Sequence, residues 1–243
     1  MKRMMTLGVV SIVLAPWTVT QAITLNDDFS LALEAGLFSD YRSRGISQTQ
    51  GDPAVQGSAT LTHSIGLYVG AWSSNVDFGN GSKTRQELDY YAGYFWQATD
   101  NIALDVGYFD YNYPKQSGLN YSEYFAKLNL YDLRLGAYYS DDIAGDQSML
   151  YSYLGYAKVL PYEIGLDLRY GLADYKDPVW VSSNGSARDS YREWEVKLSK
   201  KAFALNWSLS YIDTDLSKAE CASYMGFDDV CSATLVAAVS KSF

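Results

Sequence analysis

Beyond its N-terminal segment this chain has no long apolar run. No window there approaches the ~20 consecutive apolar residues of a membrane-crossing helix, and mean hydropathy is -0.16. Helical membrane spans are excluded. Charge is sparse as well, at 19% against about 25% in soluble globular chains. What charge there is leans acidic: the net is -9, and losing Lys2 and Arg3 takes it to -11. Such a chain repels nucleic acid rather than seeking it. Histidine is limited to His63, so a hydrolase built around a histidine base has a single candidate for it. Cys221 and Cys231 are the only cysteines, they do not form a CxxC pair, and two thiols make a poor metal site. Asp228 and Asp229 lack the spacing of a calcium loop and read as solvated acids. No metal and no cofactor is expected.

What is present is aromatic and alternating. Aromatic residues make up 15% of the chain, with 22 Tyr among them. Residues 1–22 read as a secretory leader: Lys2 and Arg3 open it, Leu7 to Val13 form a short apolar core, and Thr20-Gln21-Ala22 offers small residues for cleavage. The rest, 23–243, is expected to be one domain outside the cytoplasm. In that oxidising compartment Cys221 and Cys231 are expected to pair, which in the chain-entropy model adds about 3 kcal/mol. The last stretch, 234–243, alternates and stops on Phe243.

Alternating segments of that kind recur at about 30–39, 54–63, 66–76, 87–96, 102–111, 122–131, 132–140, 148–157, 162–173, 191–199 and 203–212. Because strand side chains point alternately to opposite faces, each segment splits into two sets. In 66–76, Leu67, Val69 and Ala71 oppose Tyr68, Gly70 and Trp72; in 191–199, Trp194, Val196 and Leu198 oppose Glu193, Glu195 and Lys197. Segment 148–157 stays ambiguous, with apolar or tyrosine residues on both faces. The pattern predicts an all-β fold, a transmembrane antiparallel β-barrel of about twelve strands. Long connections at about 40–53, 77–86, 112–121, 141–147, 174–190 and 213–231 alternate with short ones. That is the rule of extracellular loops and periplasmic turns, and it puts both termini in the periplasm. Trp96, Tyr131, Tyr162, Phe203 and Phe243 are expected at the periplasmic interface, and Tyr108, Tyr139, Tyr191 and Tyr211 toward the outer one. Phe243 is also the expected handle for the barrel-insertion machinery.

The lumen-facing set carries the candidate chemistry: Glu34, Asp89, Asp105, Glu123, Glu163, Asp167, Glu193 and Glu195 against Lys127, Arg134, Arg169 and Lys197. An acid excess lining a pore implies a weak cation preference, unless the charges merely pair across the interior. Phe38, Tyr68, Trp72, Tyr91, Phe95, Phe109, Phe125 and Tyr138 also fall on the inward set, which implies a narrow or partly filled lumen. Arg42 and Arg44 open the first long loop; two roles stay open for them, an inward constriction or contact with lipopolysaccharide phosphates.

The segment Phe38-Ser39-Asp40-Tyr41-Arg42-Ser43-Arg44-Gly45-Ile46-Ser47-Gln48-Thr49, continued by Gly51-Asp52-Pro53-Ala54-Val55-Gln56-Gly57, resembles the opening of the TorF family of porin-like outer-membrane proteins. Leu67 to Phe78 and Glu87 to Tyr94 carry the resemblance on. It implies a barrel in the outer membrane of a Gram-negative bacterium with channel activity, and it supplies no catalytic residues. The expected function is a porin or narrow channel for small hydrophilic solutes or ions, in contact with outer-membrane lipid and lipopolysaccharide. The alternative is a non-conducting structural or adhesive barrel acting through its loops. An enzyme is not expected, because His63 falls at a periplasmic turn, away from the outer leaflet where such hydrolases work.

Overall fold

The computed structural model describes residues 22–143 and 145–243. The expected leader lies outside the described residues apart from Ala22. Twelve strands build the fold. They are β1 (Phe29–Phe38), β2 (Ala54–His63), β3 (Leu67–Asn75), β4 (Gln86–Thr99), β5 (Ile102–Asn112) and β6 (Tyr121–Leu130). The second half adds β7 (Leu133–Ile143), β8 (Gln147–Leu160), β9 (Ile164–Tyr175), β10 (Ser190–Ala202), β11 (Leu205–Thr214) and β12 (Thr234–Ser242). Each pairs antiparallel with its sequence neighbour, and β12 pairs with β1, Ala238 opposite Phe38 and Ser242 opposite Glu34. The sheet is therefore closed and leaves no long edge. The fold is an all-β, twelve-stranded antiparallel barrel.

Closure needs two additions at the seam. The Phe243 N–H donates to the Leu33 carbonyl at 2.9 Å, one step beyond the β12 ladder. Below it, Ile23–Thr24 folds back along β1, placing Ile23 opposite Leu31. Together they satisfy backbone groups that β12 is too short to reach.

The two-residue period decides which side chains turn inward. On β3, Tyr68 is 6% exposed and Val69 54%. Leu67, Leu133, Leu135, Leu154, Val196, Leu198 and Leu209 form part of an apolar outer band. The same pairing settles β8: Met149, Tyr151, Tyr153 and Ala157 face in, and Leu150 and Leu154 face out. Inside, glycine makes room for rings. Tyr91 lies directly opposite Gly70, where an added Cβ would sit 2.3 Å from its ring, and Tyr68 covers Gly93 in the same way at 2.4 Å.

Short turns gather at the end bearing the chain termini. Tyr131, Tyr162 and Phe203 sit in those turns with φ of 55°, 64° and 55°, a left-handed conformation unusual for bulky residues. Their rings stand in solvent-facing positions around the rim, Phe203 at 94% exposure. At the opposite end lie five long connections, 39–53, 76–85, 113–120, 176–189 and 215–233.

Three expectations need correction. The connection read as long at 141–147 is short, because β7 runs to Ile143 and β8 starts at Gln147. Polar residues stay in the ladder there, since backbone pairing continues past the apolar band. Glu163 is in an exposed turn with φ of 58°, so it leaves the inward set. Tyr191 is no outer-girdle residue: it is 2% exposed, because it shares the inward parity of Glu193.

Candidate functional site: the barrel lumen

Aromatic rings fill one side of the barrel. A continuous run leads from Tyr91 to Phe109 (5.3 Å between centroids), Phe125 (5.2 Å), Tyr138 (5.6 Å) and Tyr151 (6.2 Å). These side chains come from β4 through β8. The facing wall, β11, β12, β1 and β2, mixes smaller groups such as Ser208, Ser210 and Ala238 with Phe38, Gln56, Ile212 and Val236. The open space between the two sides is a cavity of about 280 Å³ that both of them border. Phe38, Trp72 and Gln56 join it to a much narrower space beside Glu34 toward the terminal end.

Charges are matched across strands. Lys127 lies 2.7 Å from Asp105, which also accepts the Tyr68 hydroxyl at 2.6 Å. Arg134 reaches Asp167 at 2.5 Å. Arg169 bridges Glu193 at 2.8 Å and Glu195 at 3.0 Å, and the Tyr151 hydroxyl donates to Glu193 at 2.5 Å. Lys197 faces Glu195, Asp167 and Glu34, and Ser240 hydrogen-bonds Glu34. Glu87, which the sequence reading passed over, is buried on the same inward face as Asp89. Its parity is the signal that could have found it.

The first long loop enters the lumen. Its small hairpin, Arg42–Ser43 with Ile46–Ser47, turns at Arg44 and Gly45, both with positive φ (48° and 85°). A two-residue turn of this hand suits a hairpin, and glycine is demanded at its second position. There an added Cβ would meet Thr214 Cγ2 at 2.6 Å and Glu193 Cβ at 3.0 Å. From the tip, Arg44 Nη2 donates to both oxygens of Glu123 at 2.7 Å, and its guanidinium carbon lies 4.7 Å from the Tyr151 ring centre. Burial acts to lower the Arg44 pKa, but Glu123 with Tyr121 and Tyr111 carries it well above the ordinary arginine value. Arg44 is thus a fixed cation. Arg42 turns back onto Asp40 at 2.6 Å and onto the Ser232 carbonyl at 2.9 Å. Both guanidiniums are shielded inside the mouth, so the lipopolysaccharide-contact reading of these two residues does not hold. Tyr41 donates to Glu87 at 3.3 Å and packs on Trp72 at 5.3 Å; burial, then Glu87 and Asp89, push its pKa well above the usual tyrosine value.

A cap closes part of the loop end. Helix α1 (Lys218–Met225) starts on Ser217, whose hydroxyl accepts the Glu220 N–H while Glu220 reaches back to the Ser217 N–H, and it ends at Gly226 with φ of 81°. Cys221 and Cys231 are joined as a disulfide, both buried. Trp180, fully buried, packs against Tyr191 (5.1 Å) and Tyr224 (4.7 Å). Beside the cap a second cavity of about 430 Å³ opens between residues 77–82, 113–121 and 224–230. His63 ends β2 at the terminal end, where its Nδ1 accepts the Ile65 N–H at 3.2 Å and its ring meets Phe29 edge-on.

The family model for Gcw_chp, described as a bacterial protein of unknown function, matches residues 22–243. The chain belongs to the Gcw_chp family. The name differs from the TorF resemblance, and the description assigns no activity. No curated protein matches this Gcw_chp chain. Among solved structures, the KdgM porin is similar with a TM-score of 0.50 at 10% identity, over 87% of this chain and 99% of that one. The NanC porin gives 0.49 at 13% identity, over 86% and 97%. The KdgM porin in complex with disordered oligogalacturonate gives 0.49 at 10%, over 88% and 98%. At these identities the likeness is one of fold.

Proposed function

We propose that this chain is an outer-membrane channel of a Gram-negative bacterium, a narrow porin for passive diffusion of small hydrophilic solutes or ions. One observation carries the reading: a closed sheet with an apolar outer face surrounds charged side chains and an open cavity. A barrel solves the problem of backbone polar groups in lipid, and charged side chains around open space suit a wet interior. In this reading residues 1–22 are removed as a leader, 23–243 form the barrel domain, both termini are periplasmic and the long loops face outward. The TorF resemblance favours the same assignment. Lipid and lipopolysaccharide surround the outer face, and Phe243 addresses the insertion machinery.

Inward acids outnumber inward bases. Glu34, Glu87, Asp89, Asp105, Glu123, Asp167, Glu193 and Glu195 stand against Arg44, Lys127, Arg134, Arg169 and Lys197. A weak cation preference follows. Planar bilayers test both parts: single-channel steps in KCl support the channel, and the reversal potential in a salt gradient gives the sign. Anion preference refutes the selectivity, and silent bilayers refute the channel.

A second reading is favoured by the cap over the loop end, which narrows the entrance. There the barrel is a non-conducting structural or adhesive scaffold acting through its loops. Absence of conductance in folded, inserted protein supports it.

A further inference from the structure

Lumen charges are not shared evenly among the strands. The first five strands carry no lysine or arginine at all, yet they supply Glu34, Glu87, Asp89 and Asp105 to the interior. Asp105 is answered by Lys127 from β6. Asp89 is not: it is 4% exposed and, among the described residues, makes no ion pair and leaves its buried Oδ1 without a hydrogen-bond partner. Two residues earlier on the same face, Glu87 is 2% exposed and is met by the hydroxyls of Tyr41, at 3.3 Å, and Tyr113. A buried carboxylate with an unmatched oxygen calls for a cation or a proton.

The surroundings of Asp89 define which cation. Trp72 on β3 and Tyr111 on β5 are its directly opposed partners in the two flanking ladders. Such partners hold their Cβ atoms roughly 5 Å apart on one face. Tyr41 then descends from the loop onto Trp72. Asp89, Trp72, Tyr111 and Tyr41 all border the 280 Å³ cavity. Bases bordering that cavity are matched: Arg44 by Glu123, Lys127 by Asp105, Arg169 by Glu193 and Glu195, Arg42 by Asp40, and Lys197 by Glu195 and Asp167. Among the described residues no cluster of three or more acids, histidines or cysteines is arranged to hold a metal ion. An acid flanked by aromatic side chains is an arrangement that suits an organic cation, whose charge is spread over apolar groups.

We infer that Asp89, flanked by Trp72 and Tyr111, forms a lumen site for small organic cations, solutes carrying an ammonium, quaternary ammonium or guanidinium group. The inference deepens the channel reading and rests on it for access to the lumen.

The test is calorimetric titration of the full barrel in detergent with choline and its neutral isostere 3,3-dimethylbutan-1-ol, repeated in excess potassium. Choline is expected to bind at least about tenfold more tightly than the isostere and to keep that preference in potassium. Asp89→Asn is expected to erase the preference. Trp72→Leu, which leaves the acid in place, is expected to weaken choline by roughly fivefold. Equal affinity for the two ligands, binding of neither, displacement of choline by potassium one for one, or a preference that survives Asp89→Asn overturns the site. The wild-type comparison decides the matter even where a variant does not fold. Bilayer conductance in KCl keeps the two ideas apart: current without choline preference sinks this site alone, whereas absent current sinks the channel and leaves the titration to judge the site.

Discussion

Arg44→Ala is the substitution with the largest worked consequence. Glu123 has no solvent exposure, and both of its oxygens accept from Arg44 at 2.7 Å. The Tyr111 hydroxyl adds one bond at 2.9 Å. Removing one member of a buried, hydrogen-bonded pair typically costs about 3–5 kcal/mol, because the remaining charge stays behind without a partner. The lost contact with Tyr151 contributes roughly another 1 kcal/mol. Alanine at φ of 48° gains nothing in return, since that conformation strains any residue with a Cβ. The loss falls first on docking of the loop over 39–53 rather than on the barrel ladder, so single-channel conductance is expected to rise and protease to cut within the loop. Urea-driven folding into lipid vesicles, run as a cycle with Glu123→Gln and the double variant, separates the pair from its surroundings. A coupling energy of about 2 kcal/mol is expected; less than about 0.5 kcal/mol, with unchanged conductance, refutes the claim that this pair pins the loop.

Cys221→Ser is expected to loosen the cap, lowering its local stability by about 3 kcal/mol and exposing residues 176–189 and 215–233 to protease while the barrel stays folded. Gly70→Ala forces a Cβ to 2.3 Å from the Tyr91 ring and is expected to cost about 1–3 kcal/mol in urea titrations, relieved in combination with Tyr91→Leu. Phe243→Ala keeps the backbone bond to Leu33 but removes the terminal ring, so slower insertion in cells with unchanged stability of the purified barrel is expected.

Alternation makes most strands legible, because lipid-facing and lumen-facing positions differ in polarity wherever the lumen is wet. On β9 the outward set Leu166, Leu168 and Tyr170 contrasts with Asp167 and Arg169, and its inward set is read without a structure. On β8 that contrast disappears. The lumen is aromatic there, so Tyr151 and Tyr153 look as apolar as Leu150 and Leu154, and only the ladder, with Tyr151 opposite Tyr138, tells them apart. Ends are harder than interiors for a related reason. Parity extended through Glu163 fails because Tyr162 and Glu163 adopt left-handed backbone and stop the ladder. Arg44 illustrates a different limit: its destination depends on the path of a loop, and no period in the sequence records that Glu123, 79 residues away, waits for it.

Side-chain size and charge together place the bore. Rings from β3 through β8 occupy one half of the cross-section, and the bases from β6 to β10 tie down the acids beside them. What remains open also borders β11, β12 and β1, whose inward groups include Ser208, Ser210, Ala238 and Gly36 beside Phe38, Ile212 and Val236. That is also where the barrel closes, through its shortest ladder, Phe38 to Glu34 against Ala238 to Ser242. The seam is lengthened by backbone bonds beyond that ladder, those added by Ile23–Thr24 and by the Phe243 N–H. A bulky residue introduced there would add packing at the seam and take up part of the open space. In the channel reading the smaller residues of this wall are under two demands that oppose each other: stability favours filling the wall, and passage requires that it stay open.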